Sequence, residues 1–183
     1  MRENYFPAGL IAELHHDLDV LQQEGRLSQA GIGRGARQIQ TAIRNDVTLW
    51  LEGENSAQKD YLHLMESLRK ELNQALVLGL FEFEAHYALY PSGGFYQKHI
   101  DALKGQRNRI VSTVTYLTPG WRAEDAGQLV LYDPEDHSRA CASILPHSGT
   151  LAVFMSEDIP HEVLPPRRPR SSIAGWFRCR DAF

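Results

Sequence analysis

Hydrophobic residues in the first 80 positions recur at helical spacing. One stripe consists of leucines separated by 4, 4 and 3 residues, namely Leu10, Leu14, Leu18 and Leu21. Gly25 follows this stripe as a helix-stop signal. A second stripe has the same periodicity and runs through Leu62, Met65, Leu68, Leu72 and Leu76. The pattern predicts two amphipathic helices, each of which places one face against a core.

The pattern changes at Phe81, after which short runs of β-type residues alternate with turn residues. The runs read FEFEAHYALY, RIVSTVTYL, GQLVLY, ASIL, TLAVF, HEVL and SSIAGWF, and clusters rich in Gly, Pro, Asp or Ser separate several of them. Regularly spaced short strands predict a sandwich or barrel of the jelly-roll type. An earlier run, DVTLWLE over Asp46–Glu52, also reads as a strand.

Together these patterns predict an α+β fold, mainly β, in a single domain over residues 1–183. Residues 1–80 would form mainly helical support, and residues 81–183 would form the jelly-roll core. Three glycines between the helices alternate with other residues, namely Gly31, Gly33 and Gly35. Such a segment predicts a mobile loop, which we place at residues 29–41. Its GxGxG spacing is not that of a dinucleotide-binding turn.

Composition and charge exclude several classes of protein. The chain has 19 Lys+Arg against 23 Asp+Glu and a formal net charge of -4, which argues against a nucleic-acid partner. The N-terminus lacks an apolar signal-peptide core, and the longest apolar run, near Ala75–Phe81, is too short to span a bilayer. Cys141 and Cys179 form no CxxC motif. We therefore expect a cytoplasmic protein without a membrane partner.

Eight histidines are a generous number for this chain, and neutral imidazole is the commonest metal ligand. His99 and Asp101 stand at positions i and i+2, so on an extended strand both side chains would point to the same side. His161 begins the run HEVL after a predicted strand and turn, and supplies a possible third ligand. Two His and one carboxylate form the facial triad of non-haem Fe(II) oxygenases. The alternative for His161 is a hydrogen-bonded structural role.

Arg170 comes nine residues after His161, at the start of a predicted strand. A guanidinium beside such a metal is suited to bidentate recognition of a carboxylate, such as the far end of a metal-chelating 2-oxoacid. The other six histidines have no comparable spacing, and we expect them at surface or helix-face positions: His15, His16, His63, His86, His137 and His147.

The stretch from Tyr90 to Phe177 resembles the 2-oxoglutarate- and Fe(II)-dependent dioxygenases. It is most similar to bacterial members of the prolyl 4-hydroxylase branch that includes the hypoxia-inducible-factor (HIF) prolyl hydroxylases. The matching segments, in family order, are YPSGGFYQKHID, RIVSTVTYLTPGW, GQLVLY, PHSGTLAVF and HEVLPPRRPRSSIAGWF, and RNDVTLWLEG (Arg44–Gly53) extends the match upstream. The resemblance implies a double-stranded β-helix core. It also implies a reaction that hydroxylates a prolyl C4 and converts 2-oxoglutarate and O2 to succinate and CO2.

The resemblance assigns roles in the catalytic centre to individual residues. The Fe(II) ligands would be His99, Asp101 and His161. Arg170 would pair with the distal carboxylate of 2-oxoglutarate, and Tyr116 would donate a hydrogen bond to the same group. Tyr90 would lie near the metal and this cosubstrate. Ascorbate is a further candidate cofactor.

The resemblance also concerns the substrate. Arg109 and Trp176 would line the pocket and the opening for the substrate, and Gly31–Gln40 matches a loop that folds over the bound peptide. Elongation factor Tu, a substrate of bacterial relatives, becomes a candidate partner. Two alternatives remain open, namely an oxygenase that acts on a small molecule and a non-catalytic sensor that binds iron and 2-oxoglutarate.

Three residues discriminate within the superfamily. Asp101 argues against halide-transferring enzymes, in which the carboxylate is missing. Arg170 argues against collagen-type prolyl hydroxylases, which use Lys for the distal carboxylate. Trp176 stands where the nucleic-acid alkyl-lesion dioxygenases carry a second Arg, so this comparison also disfavours a nucleic-acid substrate.

Overall fold

We describe the fold from a computed structural model of the chain, over residues 1–31, 40–102 and 108–180. Two α-helices lie in the N-terminal part, α1 (Ala8–Gln23) and α2 (Ser56–Leu76). The strands of the described residues are β1 (Ser28–Gln29), β2 (Val47–Trp50), β3 (Glu82–Tyr90), β4 (Tyr96–His99), β5 (Arg109–Tyr116), β6 (Leu129–Tyr132), β7 (Ala140–Ile144), β8 (Leu151–Met155), β9 (His161–Val163) and β10 (Arg170–Arg178). A short 3-10 helix spans Ala123–Asp125.

The described strands form two antiparallel sheets. The larger sheet has six strands in the order β1-β2-β3-β10-β5-β8, and the smaller has four in the order β4-β9-β6-β7. Both orders mix strands that are distant in sequence, as the jelly roll requires. The predicted mainly β fold with N-terminal helices is confirmed, and so is the early strand, at Val47–Trp50.

Successive side chains of β10 point alternately to the two faces of the larger sheet. Ile173 and Phe177 point to the helices and are fully buried beside the α1 and α2 side chains. Ser172, Ala174 and Trp176 point the other way and line a cavity. A second apolar cluster lies on this inner side and includes Ala88, Tyr116, Leu129, Ile144, Phe154 and Val163.

The two helices cover the outer face of the larger sheet. Three of the four residues in the predicted α1 stripe are buried, since Leu14, Leu18 and Leu21 are each at most 3% exposed. Leu10 is only partly buried, and its neighbour Ile11, at 3% exposed, takes its place in the core. In α2 the stripe prediction is only partly right. Met65 is fully buried, but Leu76 is 58% exposed because the helix ends there, and Val77 follows in the left-handed region at φ 53°.

A partly buried carboxylate joins the helices to the sheet. Asp17 of α1 accepts hydrogen bonds from Asn55 Nδ2 at 2.7 Å, Gln58 Nε2 at 2.9 Å and Tyr87 Oη at 2.8 Å. Asn55 also caps α2, because its side chain accepts from the Gln58 main-chain N–H. These contacts hold α1, α2 and β3 in one arrangement.

Two predictions about the chain as a whole concern the loop and the membrane. Gln29, the first residue of the predicted loop 29–41, belongs to β1, and residues 32–39 lie outside the described residues. A search of the described residues finds no helix long and apolar enough to cross a membrane.

Candidate active site

A cavity of about 860 Å³ lies between the two sheets. Its floor is the inner face of the larger sheet, which contributes alternate residues of β2, β3 and β10. His99 and His161 enter it from the smaller sheet, and Asp101 enters from the segment after β4. The cavity therefore contains the three predicted metal ligands together with Arg170, Tyr90, Arg109 and Trp176.

His99, Asp101 and His161 come together although 60 residues separate the second from the third. His99 Nε2 lies 3.6 Å from Asp101 Oδ1, and His161 Nε2 lies 3.5 Å from Asp101 Oδ2. One ligand atom from each residue lies within 4.8 Å of the other two, which is the geometry of a group able to hold one metal ion. The expectation that His99 and Asp101 share an extended strand is wrong in one respect. The strand ends at His99, and Asp101 turns into the site from a bend.

Hydrogen bonds determine which nitrogen of each imidazole is available. The Nδ1 atoms of His99 and His161 lie 2.7 Å and 3.0 Å from the main-chain oxygens of Gln97 and Ile159. A carbonyl oxygen only accepts, so each Nδ1 carries the proton and each Nε2 presents a lone pair. A metal-binding histidine is typically oriented by such an outer contact.

The carboxylate between them is held in its ionised form. Ser112 Oγ donates to Asp101 Oδ2 at 2.6 Å and lies 2.8 Å from Ser156 Oγ. Burial alone raises the pKa of Asp101, but His161, His99 and the Ser112 hydrogen bond outweigh it and lower that pKa well below its usual range. Burial in turn lowers the pKa of His161, which favours the neutral imidazole that a metal requires.

A stack of side chains supports His99 from its other face. The Tyr96 ring lies on the His99 ring at 3.5 Å with an interplanar angle of 16°, and the Arg44 guanidinium lies 4.3 Å from the Tyr96 centroid. Arg44 makes two hydrogen bonds, of 2.8 and 2.6 Å, to fully buried Asp46. Sequence reasoning missed this stack, although both segments lay within the matched motifs.

Arg170 is an uncompensated buried cation. It is 1% exposed, and its Nε and Nη2 atoms have no hydrogen-bond partner among the described residues. Its guanidinium carbon lies 5.1 Å from the Tyr90 ring and 5.0 Å from the Tyr116 ring, and Nη1 donates to Ser172 Oγ at 3.3 Å. The buried Tyr116 hydroxyl also lacks a partner there. Because an isolated buried charge is strongly unfavourable, these donors fit an anionic ligand such as a carboxylate.

The other end of the cavity is aromatic and charged. The Arg109 guanidinium lies 3.8 Å from the Trp176 ring centroid, and its Nε donates to Glu84 at 2.8 Å. Trp50 and His86 complete this group, with ring centroids 5.2 Å apart. The surface position expected for His86 is wrong, since the residue is 6% exposed on β3. The alternation of the run FEFEAHYALY placed it on the same face as Tyr90, a signal that we did not use.

Comparison with known proteins shows the family of the chain. The sequence profile of the 2OG-Fe(II) oxygenase superfamily matches residues 85–178, which include the described candidate ligands and Arg170. The chain belongs to this superfamily, whose members are dioxygenase enzymes that use Fe(II) and 2-oxoglutarate.

Three relatives place the chain more narrowly. It is 30% identical over 145 residues to a hypoxia-inducible factor prolyl hydroxylase of Caenorhabditis elegans, a match that covers 74% of the chain but only 20% of the worm protein. A crystal structure of a Pseudomonas putida prolyl-4-hydroxylase superimposes with a TM-score of 0.86 and 38% identity, over 98% of this chain and 91% of that one. A Trichoplax adhaerens prolyl hydroxylase in complex with a HIF peptide fragment gives a TM-score of 0.86 and 28% identity, over 97% and 81%.

Proposed function

We propose that the protein hydroxylates a proline residue in a protein substrate, using Fe(II), O2 and 2-oxoglutarate. The observation that carries the proposal is that one cavity contains both a His/Asp/His group and a buried arginine, two of whose nitrogens have no hydrogen-bond partner in the described part of the chain. The similar proteins from Pseudomonas and Trichoplax, which are prolyl hydroxylases, support proline as the target.

The metal would be held by Nε2 of His99, Nε2 of His161 and the carboxylate of Asp101. Three protein ligands leave positions on the metal for a cosubstrate and O2. When bound, the iron supplies the oxidation by which 2-oxoglutarate, O2 and a C–H bond become succinate, CO2 and a C–OH group. The protein contributes the orientation of these groups and the exclusion of water.

Arg170 and Tyr116 would hold 2-oxoglutarate in place. The Nε and Nη2 atoms of Arg170 present two N–H groups, which match the two oxygens of a carboxylate. The Tyr116 hydroxyl supplies a third donor, and the Tyr90 ring bounds the guanidinium on one side. Because the pair is buried, water competes little for these hydrogen bonds.

The shape of the cavity favours a peptide over free proline. Lining residues extend along β10 from Arg170 to Arg178, a distance of about 26 Å at the usual rise per strand residue. The cosubstrate would occupy the Arg170 end. The aromatic end with Trp50, His86 and Trp176 then remains for the substrate. Elongation factor Tu is our candidate, and C4 of its target proline is the proposed position.

The test combines the purified chain with Fe(II), 2-oxoglutarate and either elongation factor Tu, proline-containing peptides or free proline. We expect succinate formation and a peptide heavier by one oxygen atom, with NMR locating the hydroxyl at C4. Asp101→Ala should abolish both signals, whereas Asp60→Ala, an exposed α2 residue, should not.

Each contrary result favours an alternative. Turnover only with free proline or another metabolite would favour a small-molecule oxygenase. Binding of 2-oxoglutarate without turnover of any partner would favour the sensor. Full activity of Asp101→Ala would remove the metal group from the mechanism.

A further inference from the structure

Two polar atoms at the aromatic end of the cavity have no task in the reaction proposed above. They are His86 Nε2 and Trp176 Nε1, on neighbouring strands β3 and β10 whose register pairs His86 with Ala174. The two side chains are therefore diagonal neighbours on one face of the sheet, and their ring centroids lie 5.4 Å apart. Both residues line the cavity.

His86 presents a hydrogen-bond acceptor. Its Nδ1 lies 2.9 Å from the main-chain oxygen of Tyr87, so Nδ1 carries the proton and Nε2 has the lone pair. Burial, with a smaller contribution from Arg44, lowers the pKa of His86 to about 4. The ring is consequently neutral near pH 7 and keeps its acceptor.

Trp176 presents a hydrogen-bond donor. Its Nε1 is buried without a hydrogen-bond partner among the described residues, and an indole N–H can only donate. The side chain is 7% exposed and is held by the Arg109 guanidinium over its ring. Trp50 packs edge-on against His86, with an interplanar angle of 89°. Donor and acceptor are thus fixed side by side on packed rings.

We propose that His86 and Trp176 bind the main chain of one extended residue of the substrate, next to the target proline. In an extended chain the N–H and C=O of one residue point to the same side, as they do in an antiparallel ladder. The N–H would donate to His86 Nε2, and the C=O would accept from Trp176 Nε1. Proline has no N–H, so the residue that is bound must be a neighbour of the target.

The inference rests on the proposed function, because it needs a peptide substrate. It adds a reason why a peptide suits this end of the cavity. The His86–Trp176 pair is uncharged, and Arg109 is already paired with Glu84 at 2.7 Å. A free amino acid would bring an ammonium and a carboxylate to a place where neither finds an unpaired counter-charge among these residues, whereas a main-chain amide needs none.

A peptide series tests the acceptor. In each peptide the main-chain N–H of one residue beside the proline is replaced by an ester oxygen, and KM is measured with wild type, His86→Phe and His86→Gln. With wild type, one ester position should raise KM about three- to tenfold, the effect of losing one hydrogen bond. His86→Phe should raise KM for the all-amide peptide by a similar factor and should show no further rise with that ester. His86→Gln, whose amide oxygen accepts, should keep the sensitivity.

Trp176→Phe tests the donor independently, should the His86 variants not fold. It keeps an aromatic ring and loses the N–H. Trp176→Phe should raise KM for the all-amide peptide. In wild type, a thioamide in place of the bound C=O should also raise KM, because sulfur is the weaker acceptor. In Trp176→Phe the same thioamide should cause no further rise, because the N–H donor is already missing.

The outcomes separate this inference from the function on which it rests. Suppose that wild type hydroxylates the all-amide peptide, but that each ester or thioamide raises KM by the same factor in wild type, His86→Phe and Trp176→Phe. The inference is then overturned and the proposed function stands. If wild type hydroxylates no peptide at all, both are overturned.

Discussion

His99 and His161 lie directly opposite each other on the antiparallel strands β4 and β9. Each is anchored in the same way, with Nδ1 bonded to the main-chain oxygen two residues earlier in the chain, that of Gln97 or Ile159. Their Nε2 atoms converge on the carboxylate of Asp101. The two imidazoles are therefore oriented by the backbone before any ligand arrives, which is the arrangement expected of a preorganised metal site.

Replacing Arg170 with Lys should weaken 2-oxoglutarate binding. Lys keeps the positive charge but loses the planar arrangement of Nε and Nη2, and with it at least one charge-assisted hydrogen bond. We expect the dissociation constant to rise about 10- to 100-fold, as measured by calorimetry in the presence of Fe(II). Arg168→Lys, at a half-exposed position outside the lining of the cavity, is the matched control. An unchanged affinity of Arg170→Lys would show that the cosubstrate binds elsewhere.

Replacing Ser112 with Ala should weaken metal binding although Ser112 is not itself one of the three candidate metal ligands. Ser112 donates to Asp101 Oδ2, and loss of an outer partner of this kind typically reduces metal affinity about tenfold or more. Ser156→Ala is the control, because it also removes the Ser112–Ser156 hydrogen bond but leaves the hydrogen bond from Ser112 to Asp101. A loss of Fe(II) affinity in Ser112→Ala alone would therefore come from the bond to Asp101. Equal Fe(II) affinities of the two variants, in a competition titration with a chelator, would contradict the role of Ser112.

The buried His86 should make stability depend on pH. Its pKa is about 4 in the folded protein and about 6.5 when exposed, so the unfolded chain binds the additional proton between these values. The contribution of neutral His86 to the free energy of unfolding is fully present above pH 6.5. It is lost as the pH falls toward 4, which lowers the free energy of unfolding by about 3 kcal/mol. Arg44, Asp46 and Arg109 are the charged groups that act on it.

Urea unfolding of wild type and His86→Gln at several pH values measures this contribution. The difference in unfolding free energy between the two proteins should shrink as the pH falls from 6.5 to 4, since Gln cannot titrate. Parallel pH profiles would mean that His86 titrates as an exposed histidine does.

Gly175 should tolerate no side chain. It lies on β10 between Ala174 and Trp176, and an added Cβ would lie 2.5 Å from Phe83 Cζ and 3.1 Å from Ala85 Cβ. Gly175→Ala should therefore destabilise the protein by about 1–3 kcal/mol, the usual cost of overpacking a core. Gly9→Ala, at an α1 position where no atom of the described residues lies within 4 Å of the added Cβ, should be neutral or stabilising. Thermal unfolding compares them, and equal melting temperatures would contradict the contact.

Much of this protein follows from the order of its residues. Helical and strand periodicity identified both helices and most strands, because amphipathic spacing records which face of each element is buried. His99, Asp101, His161 and Arg170 were found because their residue types and order match a known chemistry. The site roles of these residues remain predictions until the experiments above are done.

Tertiary structure decided what spacing cannot express. The His99–His161 pairing joins strands 62 residues apart, and only the sheet register determines it. The same is true of Arg44 stacked on Tyr96 and of His86 beside Trp176, since each contact joins two segments that pack only when the sheets form. The lack of partners for Nε and Nη2 of Arg170 among the described residues is also invisible in the sequence, because it depends on what surrounds the side chain. Periodicity determines the face of an element, and long-range packing determines which faces meet.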